Sequence, residues 1–224
     1  MGHFLSITVN DKLYIKDPQS SELGQKILKN SIILIDELGL DNFTFKKLAD
    51  QIESTEASIY RYFENKQKLF LYLLNWYWEW LNFMLENSTI NVSDPRKKLR
   101  IMLMVLIDSA KRNLEVEYID EDILHRLVIV EGAKGYHTKY VDQQNSEGFF
   151  LAYKQVCASL SQTIMEIKPD CAYSRSIASM ILEMTFSNIY FSDHLPKLTS
   201  IQAGEDRQEE LLKMMEYIVG KILD

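Results

Sequence analysis

Residues 43–66, FTFKKLADQIESTEASIYRYFENK, decide the fold. Thr44 directly precedes the apolar set Phe45, Leu48 and Ala49, so its hydroxyl caps a short helix running roughly to Ile52. Glu53-Ser54-Thr55 interrupts the apolar pattern. Thr55 caps a second short helix, with Ser58, Arg61 and Tyr62 on one side and Ile59 and Phe63 on the other. A third, long helix begins after Asn65. Two short helices joined by so tight a turn form a helix-turn-helix, a unit whose second helix can lie in a DNA major groove. Its outer face carries hydrogen-bonding side chains that a purely structural helix does not need.

At these residues the chain resembles the TetR/AcrR family of bacterial transcriptional repressors. Thr44, Leu48-Ala49, Thr55, Ser58-Ile59-Tyr60, Tyr62-Phe63 and Lys66 carry the resemblance. Glu53 stands where the family has a turn glycine, Ser54 where it has valine and Ala57 where it has glycine. A non-glycine residue at positive φ in that turn would cost on the order of 1 kcal/mol. The resemblance implies an all-α protein of about nine helices. An N-terminal three-helix helix-turn-helix DNA-binding domain would precede a C-terminal helical domain for ligand binding and dimerisation. It also implies that Tyr60 and Tyr62 lie near the DNA backbone, where a phenol can donate to phosphate. Thr44 and Lys66 stand at helix starts, which also favour phosphate. Arg61 has the chemistry to donate to guanine or phosphate, and Glu56 to accept from cytosine N4. Thr55 and Ser58 complete the DNA-binding set.

Composition is compatible with that reading. The chain has 224 residues with 46% hydrophobic and 25% charged, ordinary for a globular protein. Only 8 Gly and 4 Pro favour long uninterrupted helices over a turn-rich β sandwich. The net charge of −7 weighs against indiscriminate nucleic-acid binding. Residues 1–70, however, hold nine Lys and Arg against ten Asp and Glu, so the acidity lies mostly in the C-terminal part. Affinity for DNA would then come from a dimer and a few well-placed contacts. Cys157 and Cys171 have no metal-type spacing and suit a reducing cytoplasm. No segment reaches the ~18 apolar residues of a membrane span, and the opening Phe4–Val9 lacks a signal peptide's apolar run. The expected location is the cytoplasm.

Along the chain, residues 1–19 form an N-terminal extension. Residues 4–16, FLSITVNDKLYIK, alternate apolar and polar around Asn10-Asp11 and predict a short β-hairpin. Residues 20–66 are the DNA-binding domain. Its first helix is capped by Ser20 or Ser21, carries Leu23, Ile27, Leu34 and Leu38, and is stopped by Gly39. Residues 67–224 are the ligand-binding and dimerisation domain. The long helix after Asn65 has two apolar stripes, so it is buried on more than one side and joins the two domains. Asp94-Pro95 opens a helix that is apolar nearly all round, through Leu99, Met102, Leu103, Leu106 and Ala110, and reads as central and enclosed. A polar connection follows around Gly132, Gly135 and Gly148, then three helices with clean 3–4 spacing.

Trp80, Phe83 and Met84, with Met104, His125 and Tyr153, are the candidate lining of an adaptable cavity for an apolar or aromatic small-molecule effector. Ile177, Met180 and Met184, with Leu211, Met215, Ile218 and Ile222, are the candidate homodimer seam. The four histidines have no metal spacing, and no nucleophile or glycine-loop motif occurs, so neither cofactor nor enzymatic activity is expected. The sequence reads as a ligand-responsive regulator, a repressor, binding a palindromic double-stranded DNA operator as a homodimer. The alternative is an apolar-ligand-binding dimer whose helix-turn-helix no longer binds DNA.

Overall fold

Ser21, in extended conformation, accepts a hydrogen bond from the Gly24 amide and starts α1, Glu22–Asn42. The structure, a computed structural model, describes residues 7–109 and 116–224. Within them follow α2 (Phe45–Gln51), α3 (Glu56–Tyr60), α4 (Lys66–Thr89), α5 (Pro95–Ile107) and α6 (Glu121–Glu131). Then come α7 (Ala133–Tyr136), α8 (Val141–Ser146), α9 (Leu151–Ile167), α10 (Ser174–His194) and α11 (Arg207–Leu223). The described residues contain no strand. The all-α expectation therefore holds, with two more helices than the nine expected. The additional pair, α7 and α8, lies in the polar connection.

The expected hairpin is absent from the described part of the extension. Asn10 does not make a two-residue turn; its side chain accepts from the Lys12 amide and opens a 3-10 turn at Asp11–Leu13. Residues 4–6 of the expected hairpin lie outside the described residues, as does Ala110. Ile7, Val9 and Leu13 are buried, and the Ile15 amide donates to the Tyr62 carbonyl at 2.8 Å. The segment thus packs as a strap rather than as a sheet. A second 3-10 turn, Pro18–Ser20, lies so close to α1 that a Cβ on Gly24 would come within 2.2 Å of the Pro18 carbonyl oxygen.

Two compact units result. The first comprises Met1–Trp80 and Ala110–Ala152, the second Leu81–Ser109 and Tyr153–Asp224. The division falls inside α4 rather than at residue 66, and α6–α8 fold with the helix-turn-helix, because α1 packs along α6. Ion pairs accompany that packing: Arg126 with Asp36 at 3.2 Å and Lys134 with Asp41 at 2.7 Å. The N-terminal stretch of α4 is buried almost throughout from Leu69 to Trp78, as two apolar stripes on one helix require.

In the second unit α5 packs on α10 and α11, and α10 on α11. Asp94 caps α5 ahead of Pro95 at its first turn. Leu99, Met102, Leu103 and Leu106 form the buried face of α5, but Met104 is exposed. The helix is amphipathic and not enclosed, a correction to the reading from its apolar content. Leu211, Met215, Val219 and Leu223, spaced by four, are the buried stripe of α11.

Candidate nucleic-acid interface

Thr44 and Thr55 cap α2 and α3 as expected, accepting from the amides of Lys47 (3.2 Å) and Ser58 (3.3 Å). Between the helices the Ser54 amide donates to the Ala49 carbonyl at 2.9 Å, which forces a left-handed residue into the turn. Glu53 supplies it, with φ 53°. The turn therefore keeps the form that a glycine would give and carries the strain. Ser54 and Ser58 join hydroxyls at 2.7 Å across the turn, a tie that four-residue spacing makes legible only once the turn is known to close.

A five-residue helix such as α3 cannot hold itself in water. Ile59 and Phe63 are fully buried beneath it, and Tyr60 meets Phe45 of α2 edge to face at 5.0 Å. Tyr60 nevertheless keeps 49% of its surface exposed. Thr44, Thr55, Glu56, Tyr60 and Arg61 are exposed and Ser58 is half-buried, so six of the eight predicted DNA-binding residues retain outward surface.

The other two are corrected. Tyr62 is 3% exposed. Helix α3 ends at Tyr60, and Tyr62 turns inward, where its hydroxyl meets Ser21 Oγ at 2.8 Å and Lys16 Nζ at 3.5 Å. The Ser21 hydrogen bond, then the Lys16 charge, draw its pKa down against the effect of burial. Lys66 donates through Nζ to the carbonyls of Leu40, Asp41 and Phe43 at 2.9, 3.1 and 3.1 Å. Its charge is spent on the end of α1, where φ 73° at Gly39 leaves carbonyls without helical partners. The outward charged groups of residues 44–65 are Lys46, Lys47 and Arg61 against Asp50, Glu53, Glu56 and Glu64.

The six predicted effector contacts divide between the two units. Trp80 and His125 are buried in the first unit, His125 Nδ1 lying 2.7 Å from the Tyr77 hydroxyl and Trp80 stacked on Trp76. In the second unit Phe83 and Met104 are exposed and Met84 is half-buried. Tyr153 lines a groove along α9 and donates to Glu183 at 3.0 Å. Aromatic content alone did not distinguish core from cavity.

The predicted dimer seam divides in two. Leu211 and Met215 are fully buried in their own unit, which corrects their assignment to a partner contact. Met180 is 59% and Ile222 39% exposed, while Ile177, Met184 and Ile218 are half-buried. With Tyr173 and Tyr217, both largely exposed, they form an outward apolar face on α10 and α11 that the stripe count did not separate from the inner one.

Residues 27–73 match the family model described as bacterial regulatory proteins, tetR family. Three solved structures share the fold. AibR, solved with isovaleryl coenzyme A and operator DNA, is 15% identical with a TM-score of 0.62, over 86% of this chain and 97% of that one. The fatty acid degradation regulator FadR from Bacillus halodurans is 16% identical with a TM-score of 0.60, over 87% and 96%. SmeT, solved with triclosan, is 12% identical with a TM-score of 0.60, over 87% and 90%. No curated protein sequence matches the chain. The helix-turn-helix thus lies within a segment that matches the tetR family model, and the solved structures share the fold of the chain.

Proposed function

We propose that the chain is a repressor that binds a palindromic operator as a homodimer and releases it when a small molecule binds the second unit. The carrying observation is the capped α2–turn–α3 unit, which holds Thr44, Thr55, Glu56, Tyr60 and Arg61 outward on a buried base. Arg61 is the candidate base reader; Tyr60 and Thr44 are candidate phosphate donors. The outward face of α10 and α11 is the candidate seam, since an apolar stripe of this extent is usually covered in the working assembly. Two-fold symmetry then sets two α3 helices against successive major grooves. AibR, crystallised with both an acyl coenzyme A and operator DNA, lends support to ligand-linked DNA binding. By linkage, the ligand weakens DNA binding only as far as it prefers the released state.

Titration of the purified protein against DNA flanking its own gene, followed by fluorescence anisotropy, tests this. A competed, sequence-selective complex of two chains per site is expected. Binding no tighter than to unrelated DNA at the same salt concentration would overturn it. One observation favours a second reading, in which the protein binds an apolar ligand but not DNA. The helix-turn-helix surface shows three cations against four carboxylates, and Lys66 is already engaged. That reading predicts a dimer with no selective DNA complex in the same titration.

A further inference from the structure

Grooves open on the described residues of the second unit. One, about 560 Å³, takes seven of its nine lining residues from one side of α9, which makes it a furrow along a helix rather than an enclosing site. Another, of about 400 Å³, mixes Glu86, Lys98 and amide side chains on α4, α5 and α9. The third differs from both. It lies between the start of α5 and the end of α11, has a volume of about 350 Å³, and separates its apolar from its charged groups.

The floor is Leu99, Leu103, Ile167, Val219 and Leu223. Gly220 opens it: a Cβ built there meets nothing within 4 Å. The rim carries Arg96, Lys97 and Arg100, with Glu216 as the one acidic lining residue. Arg100 Nε pairs with Glu216 at 2.6 Å and Arg96 with Asp224 at 3.5 Å, all on partly exposed side chains. Exposed pairs of this kind are weak and exchange readily for another carboxylate. Lys97 has no ion pair among the described residues. In a chain of net charge −7, three cations over an apolar floor are a local reversal of sign.

We propose that this groove binds an amphipathic anion, an aliphatic carboxylate whose chain lies along the floor and whose head group is held by Lys97 and the neighbouring arginines. A second copy of the chain is a poor occupant. On α11 Gly220 stands about 200° from Ile218 and about 60° from Tyr217, so the groove shares no lining residue with the outward apolar face and borders it only at Tyr217. An uncharged ligand would leave the cationic rim without a function. The volume falls within the range of small-molecule sites, about 300–1,000 Å³. The inference rests on the proposed regulator reading only for its consequence, not for the binding itself.

Calorimetric titration of the full chain with sodium octanoate, beside octan-1-ol and octylamine, tests the site directly. Octanoate should bind in preference to both. Gly220→Leu, which fills the groove and raises helix propensity, should weaken octanoate by about tenfold or more without lowering the melting temperature. Lys97→Ala should weaken it by about threefold and leave octan-1-ol unaffected. Ser179→Leu, in the α9 furrow, should change nothing. Octylamine binding as tightly as octanoate, or octanoate insensitive to Gly220→Leu, would overturn the proposal. So would a Gly220→Leu chain whose only change is in its oligomeric state, which would assign the groove to a second copy. Failure to bind operator DNA, with octanoate binding intact and lost in Gly220→Leu, would count against the regulator reading and leave the site standing.

Discussion

Lys66 Nζ lies 2.9 Å from the carbonyl oxygen of Leu40 and also reaches the carbonyls of Asp41 and Phe43. One ammonium thus closes the end of α1 from the first turn of α4, across the helix-turn-helix. Its three protons are all used within the fold, and a role at phosphate would require breaking that set.

Lys66→Ala should therefore act on stability. Hydrogen bonds to a charged donor contribute about 1.5–3 kcal/mol each at most, and water replaces some of them here, so a loss of about 2 kcal/mol is expected in urea unfolding. The slope of log affinity against log salt for any DNA complex should stay the same. A slope reduced by about one counterion in a stably folded mutant would return Lys66 to the interface.

Glu53 offers the opposite sign. Its φ of 53° lies in the left-handed region, which costs an L-residue about 1 kcal/mol that glycine does not incur. Glu53→Gly should raise stability by up to roughly 0.5 kcal/mol after the greater entropy of the unfolded chain is counted. Glu53→Val, β-branched at positive φ, should lower it. Equal melting temperatures for the three proteins would mean that the turn relaxes in solution.

The extension predicts an alkaline limit. Burial, then the charge of Asp17, raises the pKa of Tyr72 well above 10, and Tyr118 is raised by the same two causes. Burial, again with Asp17, raises Tyr14 too. A phenol with a raised folded-state pKa contributes stability that is complete below the unfolded value near 10 and is lost as pH rises beyond it. Tyr62, lowered by its hydrogen bond with Ser21, opposes the trend but is one group against three. Urea midpoints should fall between about pH 9 and 11, and Tyr72→Phe should flatten that fall. An unchanged slope in Tyr72→Phe would remove Tyr72 from the account.

Assembly is tested by two methionines. Met180 is exposed on α10 and Met215 is buried on α11. Met180→Glu should leave a folded, soluble monomer, because the charge meets water in the single chain and a desolvated partner only in the seam, at a cost of several kcal/mol. Met215→Glu should instead unfold the second unit. Sedimentation and circular dichroism separate the two outcomes. A Met180→Glu protein that sediments as a dimer would move the seam to other helices.

These contrasts show which parts of the molecule were legible in the sequence. Thr44, Thr55, Asp94 and the Gly39 stop could be read because a cap acts on amides within three residues of itself. Tyr62 could not. A helical wheel carried past Tyr60 turns it outward, while its actual partners are Ser21, 41 residues away, and Lys16. Leu211, Met215 and Met180 all sit on apolar stripes, and a stripe does not say whether its own chain or a partner covers it. The charge reversal over the α5–α11 groove was missed for the same reason. Arg96, Lys97 and Arg100 lie at the start of α5 in the sequence, and only the fold brings Val219, Gly220 and Leu223 beneath them.

Recognition itself should rest on Tyr60 and Arg61, now that Tyr62 and Lys66 are accounted for. Both are exposed at the end of α3, and Tyr60 is braced by Phe45, so its hydroxyl is carried on a fixed ring. Tyr60→Phe removes only the donor. It should weaken operator and unrelated DNA alike, by about 1 kcal/mol per half-site, with no change in stability. Arg61→Ala should separate the two kinds of DNA. If the guanidinium reads a guanine, operator binding falls by roughly 1–3 kcal/mol per half-site and preference relaxes at one position, while non-specific binding falls far less. Tyr62→Phe is the internal control: it breaks the hydrogen bond with Ser21, should cost about 1 kcal/mol of folding stability, and should leave the affinity of the folded protein nearly unchanged. Anisotropy titrations of operator and scrambled duplexes, at two salt concentrations and below each mutant's melting transition, give all three results. A Tyr62→Phe protein that is stable but binds DNA weakly would mean that the head rearranges on the operator and frees the phenol. An Arg61→Ala protein that loses both duplexes equally would make Arg61 a phosphate contact and leave base reading to Glu56, Ser58 and their neighbours on α3.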